Sequence, residues 1–304
     1  MTRLAAFWDS DVAYSLRRSP IALLSFFAVL LLTLGALFAP LIAPHDPFDP
    51  ATLNLMNGFT APGTANAFTG DSFVMGTDNQ GRDVLSTILF GLRVSLFVGF
   101  SAVFLGMVLG ITAGLLAGYK GGWTETIIMR IADVQLTFPA ILVAMLIFGI
   151  AKGFTPVEYR DQMAIWVLIL AIGLSDWVQF ARVVRGATLV EKQKEYVQAA
   201  QLIGRSSAAI MLRHILPNVL SPVLVIATIS LALAIIAEAT LSFLGVGAPP
   251  TQPSLGTLIR IGQGFIYSGE WWILFFPACT LLALALSVNL LGDWLRDALN
   301  PRLR

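Results

Sequence analysis

The sequence predicts an all-α membrane protein with six transmembrane helices, and three observations carry that expectation. Of 304 residues, 57% are hydrophobic and only 12% are charged, about half the charge of a soluble domain. Six long windows are almost free of charge, and Lys and Arg gather on alternate sides of them.

A spanning helix needs about 20 apolar residues, and a charge at the bilayer centre costs about 3 kcal/mol. The spans are therefore placed at 19–44, 94–119, 131–151, 162–181, 215–240 and 271–292, with Asp133, Asp176 and Glu238 as the carboxylates inside them. Arg17 and Arg18 precede the first window as in a signal peptide. Its apolar run is far longer than such a segment and no A-x-A site follows, so it is expected to remain as the first helix. Residues 50–70 also lack charge, but Asn54, Asn57, Gly58, Pro62, Gly63, Asn66 and Gly70 would leave broken backbone in lipid, so a loop is expected.

With residues 1–18 inside, fourteen of the 19 Lys and Arg lie on the cytoplasmic side. That bias predicts both termini cytoplasmic and an even number of crossings. A long outer loop, 45–93, precedes a core of five spans over 94–304, which holds a long inner loop at 182–214. Function gathers on loops of this kind.

Other classes are excluded residue by residue. A net charge of +1 argues against a nucleic-acid partner. The single Cys279 forms no internal disulfide, and His45 and His214 give no zinc spacing, so no metal site is expected. The two histidines lie on opposite sides of the membrane, Ser86 and Ser95 have no histidine nearby, and Cys279 sits in an apolar helix where a buried, inert thiol is expected. No catalytic residue is assigned.

In the inner loop, Tyr196, Ala199, Ala200 and Ile203 recur at helical spacing over 191–204, with Glu191, Lys192, Lys194, Glu195, Gln198 and Gln201 opposite. Gly204 is placed to stop this helix in the left-handed conformation, and Ser206 or Ser207 to cap a second helix ending at Pro217. The periodicity suits a helix on the membrane surface and a helix seated in a partner's groove equally.

Gln198-Ala199-Ala200, Gly204 four residues on, and Leu216-Pro217 together resemble the EAA loop of permease subunits of bacterial ABC importers. Gln198 replaces the family's glutamate, and His214 stands at an isoleucine position. Further stretches resemble the C-type subunits of the dipeptide/oligopeptide/nickel branch. These are Gly76-Thr77-Asp78 with Gly81-Arg82-Asp83-Val84-Leu85-Ser86, Leu136-Thr137-Phe138-Pro139, residues 245–256 and residues 289–302. Thr87, Leu255 and Asn300 depart from that branch's pattern.

The resemblance implies the type I ABC importer permease fold and import of small peptides through a bacterial inner membrane. It implies a homologous second permease, two ATP-binding subunits and a periplasmic substrate-binding protein as partners. It makes Tyr196, Gln198, Ala199, Ala200, Ile203 and Gly204 the ATPase-docking coupling helix. The outer loop is then either a packed cap or a contact for the binding protein, with Asp78, Arg82 and Asp83 placed to hold it as a charge cluster.

The chain itself carries no ATP-binding motif. Walker A requires Gly-Lys, yet the four lysines follow Tyr119, Ala151, Glu191 and Gln193. No cofactor is therefore expected in this chain, and ATP with its magnesium falls to the partner ATPase subunits that the resemblance implies. The alternative is a proton-coupled secondary transporter using Asp133, Asp176 and Glu238. Asp133 has Arg130 at i−3 as an expected partner, and paired inverted-repeat halves are not visible in the sequence.

Overall fold

The computed structural model describes residues 11–49 and 53–298, and those residues are helical apart from loops and two isolated β-bridges. Residues 299–302 of the C-terminal motif, the first ten residues and 50–52 lie outside the described residues.

Helix α1 (Asp11–Arg18) leads into the first span, α2 (Pro20–Leu37). The Ser19 hydroxyl accepts from the Ala22 amide, and Pro20 takes the first helical position, where its missing N–H costs nothing. The second span, α3 (Val84–Lys120), begins ten residues before the expected 94. Arg93 set the earlier boundary, but the Asp83 carboxylate accepts from the Ser86 amide at 2.9 Å and starts the helix there, so the outer loop ends at 83.

The third expected span, 131–151, is broken. Helices α4 (Gly122–Leu136) and α5 (Ala140–Phe154) meet at 97° around Thr137, Phe138 and Pro139. Proline has no N–H to continue the ladder and pushes the preceding residue out of the helical region. The Gln135 side chain clamps this corner to the next span, donating to the carbonyls of Leu174 (2.8 Å) and Ser175 (3.0 Å) and accepting from Trp177 Nε1 (2.8 Å).

Helix α6 (Arg160–Glu191) runs on past Arg182 and Arg185, and after a tight turn comes α7 (Glu195–Leu202). Helix α8 (Ser207–Phe243) does not stop at Pro217 as expected. A π-helical stretch, Met211–Ile215, shifts the hydrogen-bond ladder just before that proline, and the chain passes straight into the span. Helices α9 (Leu255–Gln263) and α10 (Trp272–Ala298) complete the order. Among the described residues, α2, α3, α8 and α10 are long and apolar enough to cross a membrane, as is residues 157–191, which contains α6; α4 with α5 makes a sixth crossing if counted as one bent span. Cys279 lies exposed on α10 rather than buried, an apolar thiol on an apolar helix face.

The tightest pairing is between α3 and α6, and it rests on glycines four apart. A Cβ on Gly110 would stand 2.4 Å from Phe180 Cβ and 2.6 Å from the Trp177 carbonyl, and one on Gly114 would stand 2.6 Å from the Ala181 carbonyl. Gly118 and Gly106 continue the row against Thr188 and Gly173. Small residues let helix backbones approach in lipid, where burial against water supplies no drive. Val98, Ala102, Leu168, Ala171, Phe180 and Val184 fill the core beside this seam.

A second core joins the start of α3 to α9 and α10 through Val84, Ile88, Leu92, Leu255, Leu258 and Ile273. At the start of α10, Trp272 Nε1 donates to the Thr77 carbonyl of the outer loop (3.0 Å). At its other end Trp294 Nε1 donates to Ser15 Oγ of α1 (3.3 Å). The N-terminal helix and the end of α10 therefore share one end of the bundle, and the outer loop sits at the other.

Candidate functional site

Helix α7 is built onto the ends of three spans. Val197 (fully buried) and Ala200 point into the main core, beside Ile210 and Ile215 at the start of α8. The Tyr196 hydroxyl donates to Glu191 at the end of α6 and accepts from Asn218 Nδ2 of α8 (3.1 Å). Asn218 also reaches the His214 carbonyl, and Gln201 Nε2 donates to Tyr119 of α3 (3.4 Å). Burial, then the Glu191 carboxylate, push the Tyr196 hydroxyl up to about 12, so it stays a hydrogen-bond donor at physiological pH.

Within this placement one residue of the expected stripe turns inward while Tyr196, Ala199 and Ile203 stay exposed. Of the four residues read as one stripe, Ala200 faces the core and the Tyr196 hydroxyl is bonded within the chain. The outward apolar surface is the Tyr196 ring, Ala199, Ile203 (79% exposed) and Leu202 (90% exposed), and of these the periodicity did not single out Leu202. Helix α7 also starts later than 191, because Lys194 is extended (ψ 148°) and its ammonium bonds back to Glu191 at 2.7 Å. Gln198, standing where the family carries glutamate, is exposed and donates to the Gln193 carbonyl (3.0 Å).

Gly204 has φ +78°, and the end of α7 is a full Schellman motif. Its amide donates to the Gln201 carbonyl and the Arg205 amide donates to the Ala200 carbonyl. Ser206 then caps α8, accepting from the Ala209 amide. Left-handed geometry costs a residue with a Cβ about 1–2 kcal/mol. Gly204→Ala is expected to raise amide hydrogen exchange at Arg205 about five- to thirty-fold, measured by exchange mass spectrometry, with exchange in α3 unchanged.

The outer-loop signature forms an internal lock. Asp78 and Arg82, both buried, pair at 2.6 Å, and Asp78 also accepts from the amides of Gln80 and Arg82. Asp83 caps α3, and Thr77 accepts from the Thr60 amide (2.8 Å) while donating to the Asn57 carbonyl. Gly76 and Gly81 sit at φ +75° and +76°, and a Cβ on Gly81 would stand 2.2 Å from the Asn54 carbonyl. The backbone there leaves no space for any other residue.

The three intramembrane carboxylates are held separately. Asp133 pairs with Arg182 of α6 at 2.5 Å, not with Arg130, because α6 packs across its face of α4. Asp176 makes no hydrogen bond or ion pair among the described residues and lies half-buried against Gly106. Glu238 is fully buried and accepts from Ser95 Oγ and Ser242 Oγ, each at 2.7 Å. Those serines accept in turn from the amides of Leu255 and Ala248, so one carboxyl ties α3, α8 and the start of α9 together. Removing it strands two buried hydroxyls at about 1–3 kcal/mol each. Glu238→Ala is expected to be destabilised by about 2–6 kcal/mol in thermal unfolding. Glu238→Gln is expected to lose less, since it keeps one acceptor.

The fold and these features define the class: a multi-pass helical membrane protein with a short helix locked across the ends of its spans. Residues 110–304 match the profile of the binding-protein-dependent transport system inner membrane component, and residues 6–62 match that of the N-terminal TM domain of oligopeptide transport permease C. The chain is 34% identical over 303 residues to the dipeptide transport system permease protein DppC of Haemophilus influenzae, covering 100% of this chain and 96% of that one. It is 39% identical over 291 residues to the glutathione transport system permease protein GsiD of Escherichia coli, covering 95% and 88%. The solved MetNI methionine ABC transporter, in an inward-facing form, superposes with a TM-score of 0.54 at 20% identity, over 70% of this chain and 96% of that one. The chain belongs to the binding-protein-dependent transport system inner membrane component family. It is a permease subunit of an ABC transport system.

Proposed function

We propose that this permease forms, with a homologous second permease, the pathway by which short peptides enter across a bacterial inner membrane. Two ATP-binding subunits sit on the inner face and hold the ATP and magnesium; a substrate-binding protein delivers peptide to the outer loop, 45–83. Both termini are then cytoplasmic, and this chain supplies pathway and linkage rather than catalysis. The relatives named for dipeptide and glutathione transport support the peptide substrate.

The observation that carries the reading is the outward tip of α7. Leu202 and Ile203 are the exposed end of a helix whose other face is fixed in the core. Two bare aliphatic side chains in water suit insertion into a partner's groove. A push on that tip passes through Val197, Tyr196 and Tyr119 to the ends of α6, α8 and α3, which is what rocking the spans between outward and inward access requires.

The test is capture of the tagged chain from gently solubilised native membranes, with identification of what remains bound. A P-loop ATPase and a second permease are expected with the wild-type chain. A single-chain preparation that transports solute on a proton gradient would overturn the reading.

A further inference from the structure

At the end of the bundle opposite α7, a cavity of about 130 Å³ lies between the α5–α6 turn and the segment that follows α8. Its floor is apolar, with Phe148 and Val167 buried beneath it. Its wall carries three cations: Lys152 in the last turn of α5, Arg160 at the start of α6 and Arg260 in α9. Asp161 lines it too, so the wall keeps a surplus of positive charge.

Among the described residues none of the three cations makes an ion pair. Arg160 Nε donates to the Thr155 carbonyl at 3.2 Å. Arg260 Nε is buried and meets no acceptor among the described residues. A guanidinium offers only donors, so the buried Nε–H calls for an acceptor that the cavity's own residues do not supply. Gly245, at φ +80°, leaves room beside it: a Cβ there would stand 3.3 Å from Arg260 Nη1.

We propose that this cavity binds one oxyanion group, a carboxylate or a phosphate, with Arg260 as its principal donor. A planar guanidinium matches the paired oxygens of either group. The volume is enough for such a group together with a few waters. The carboxylate of a small solute and the phosphate of a phospholipid headgroup share this chemistry. The site needs neither ATP nor a partner subunit, so it stands or falls apart from the transport reading.

The test uses the full chain in delipidated maltoside micelles, which carry no phosphate or carboxylate, with phenylglyoxal modification of Arg260 followed by peptide mass spectrometry. Dialanine or inorganic phosphate is expected to slow modification about fivefold while dialanine amide does not, which supports a free oxyanion. Slowing seen only when phosphatidylglycerol is added to the micelles supports the headgroup as the source. Lys152→Gln is expected to reduce either protection, and Arg205, exposed at the other end, is expected to show none. Equal slowing by the amide, or no slowing under any of these conditions, overturns the proposal.

Discussion

Replacing Leu202 and Ile203 together by glutamate is expected to lower ATP-driven uptake at least tenfold while the chain remains at wild-type levels in the membrane. Both side chains are almost free of contact within the chain, at 90% and 79% exposed, so folding loses little. Burying each against a partner contributes about 1.5–3 kcal/mol, and 1.4 kcal/mol is tenfold in affinity. Carboxylates in the same groove bring a desolvation cost instead. The readout pairs uptake with retention of the ATP-binding subunit, and normal values of both would remove α7 from the coupling role. Val197→Glu is a poor substitute, because Val197 is fully buried and its loss would unsettle the core itself.

The second large effect belongs to Gly110. A single methyl there must displace Phe180 or the Trp177 carbonyl, and neither is the free end of a flexible side chain. Gly110→Ala is expected to cost about 1–3 kcal/mol through overpacking, the upper part of that range because α3 and α6 cannot separate without opening the whole seam. Gly149→Ala is the matched control. It also lies within a helix, α5, but its Cβ would meet nothing within 4 Å, so helix propensity alone predicts a neutral or slightly stabilising change. Thermal unfolding of the two purified variants checks the difference, and equal stability would show that the close approach does not hold the bundle together.

Much of the fold is legible because lipid imposes a coarse rule: charge-free windows mark spans whatever the packing. The same rule misplaces features that depend on local chemistry. The start of α3 was hidden by Arg93, since a charge near a helix end is tolerated where a cap such as Asp83 has already begun the helix. The bend at Pro139 was hidden inside a charge-free run, although proline's missing N–H marks it in the sequence. In α7 the stop at Gly204 and the cap at Ser206 are readable from residue type. The facing of the helix is not. Eight residues make two turns, and the stripe through Tyr196 and Ala199 lies beside the stripe through Val197 and Ala200, so only packing decides which one turns inward. Glu238 stands out as a carboxylate in a span, but its partner Ser95 lies 143 residues away and no spacing connects them.

The central claim is that ATP hydrolysis in partner subunits drives peptide import through this chain by way of α7. Uptake of labelled dialanine into proteoliposomes holding the purified complex tests it most directly, with ATP and the binding protein supplied together, singly and not at all. The account predicts uptake only when both are present, and its loss in the Leu202→Glu, Ile203→Glu variant with the proton gradient collapsed or intact. Uptake by this chain alone on an imposed proton gradient, without ATP, would contradict it.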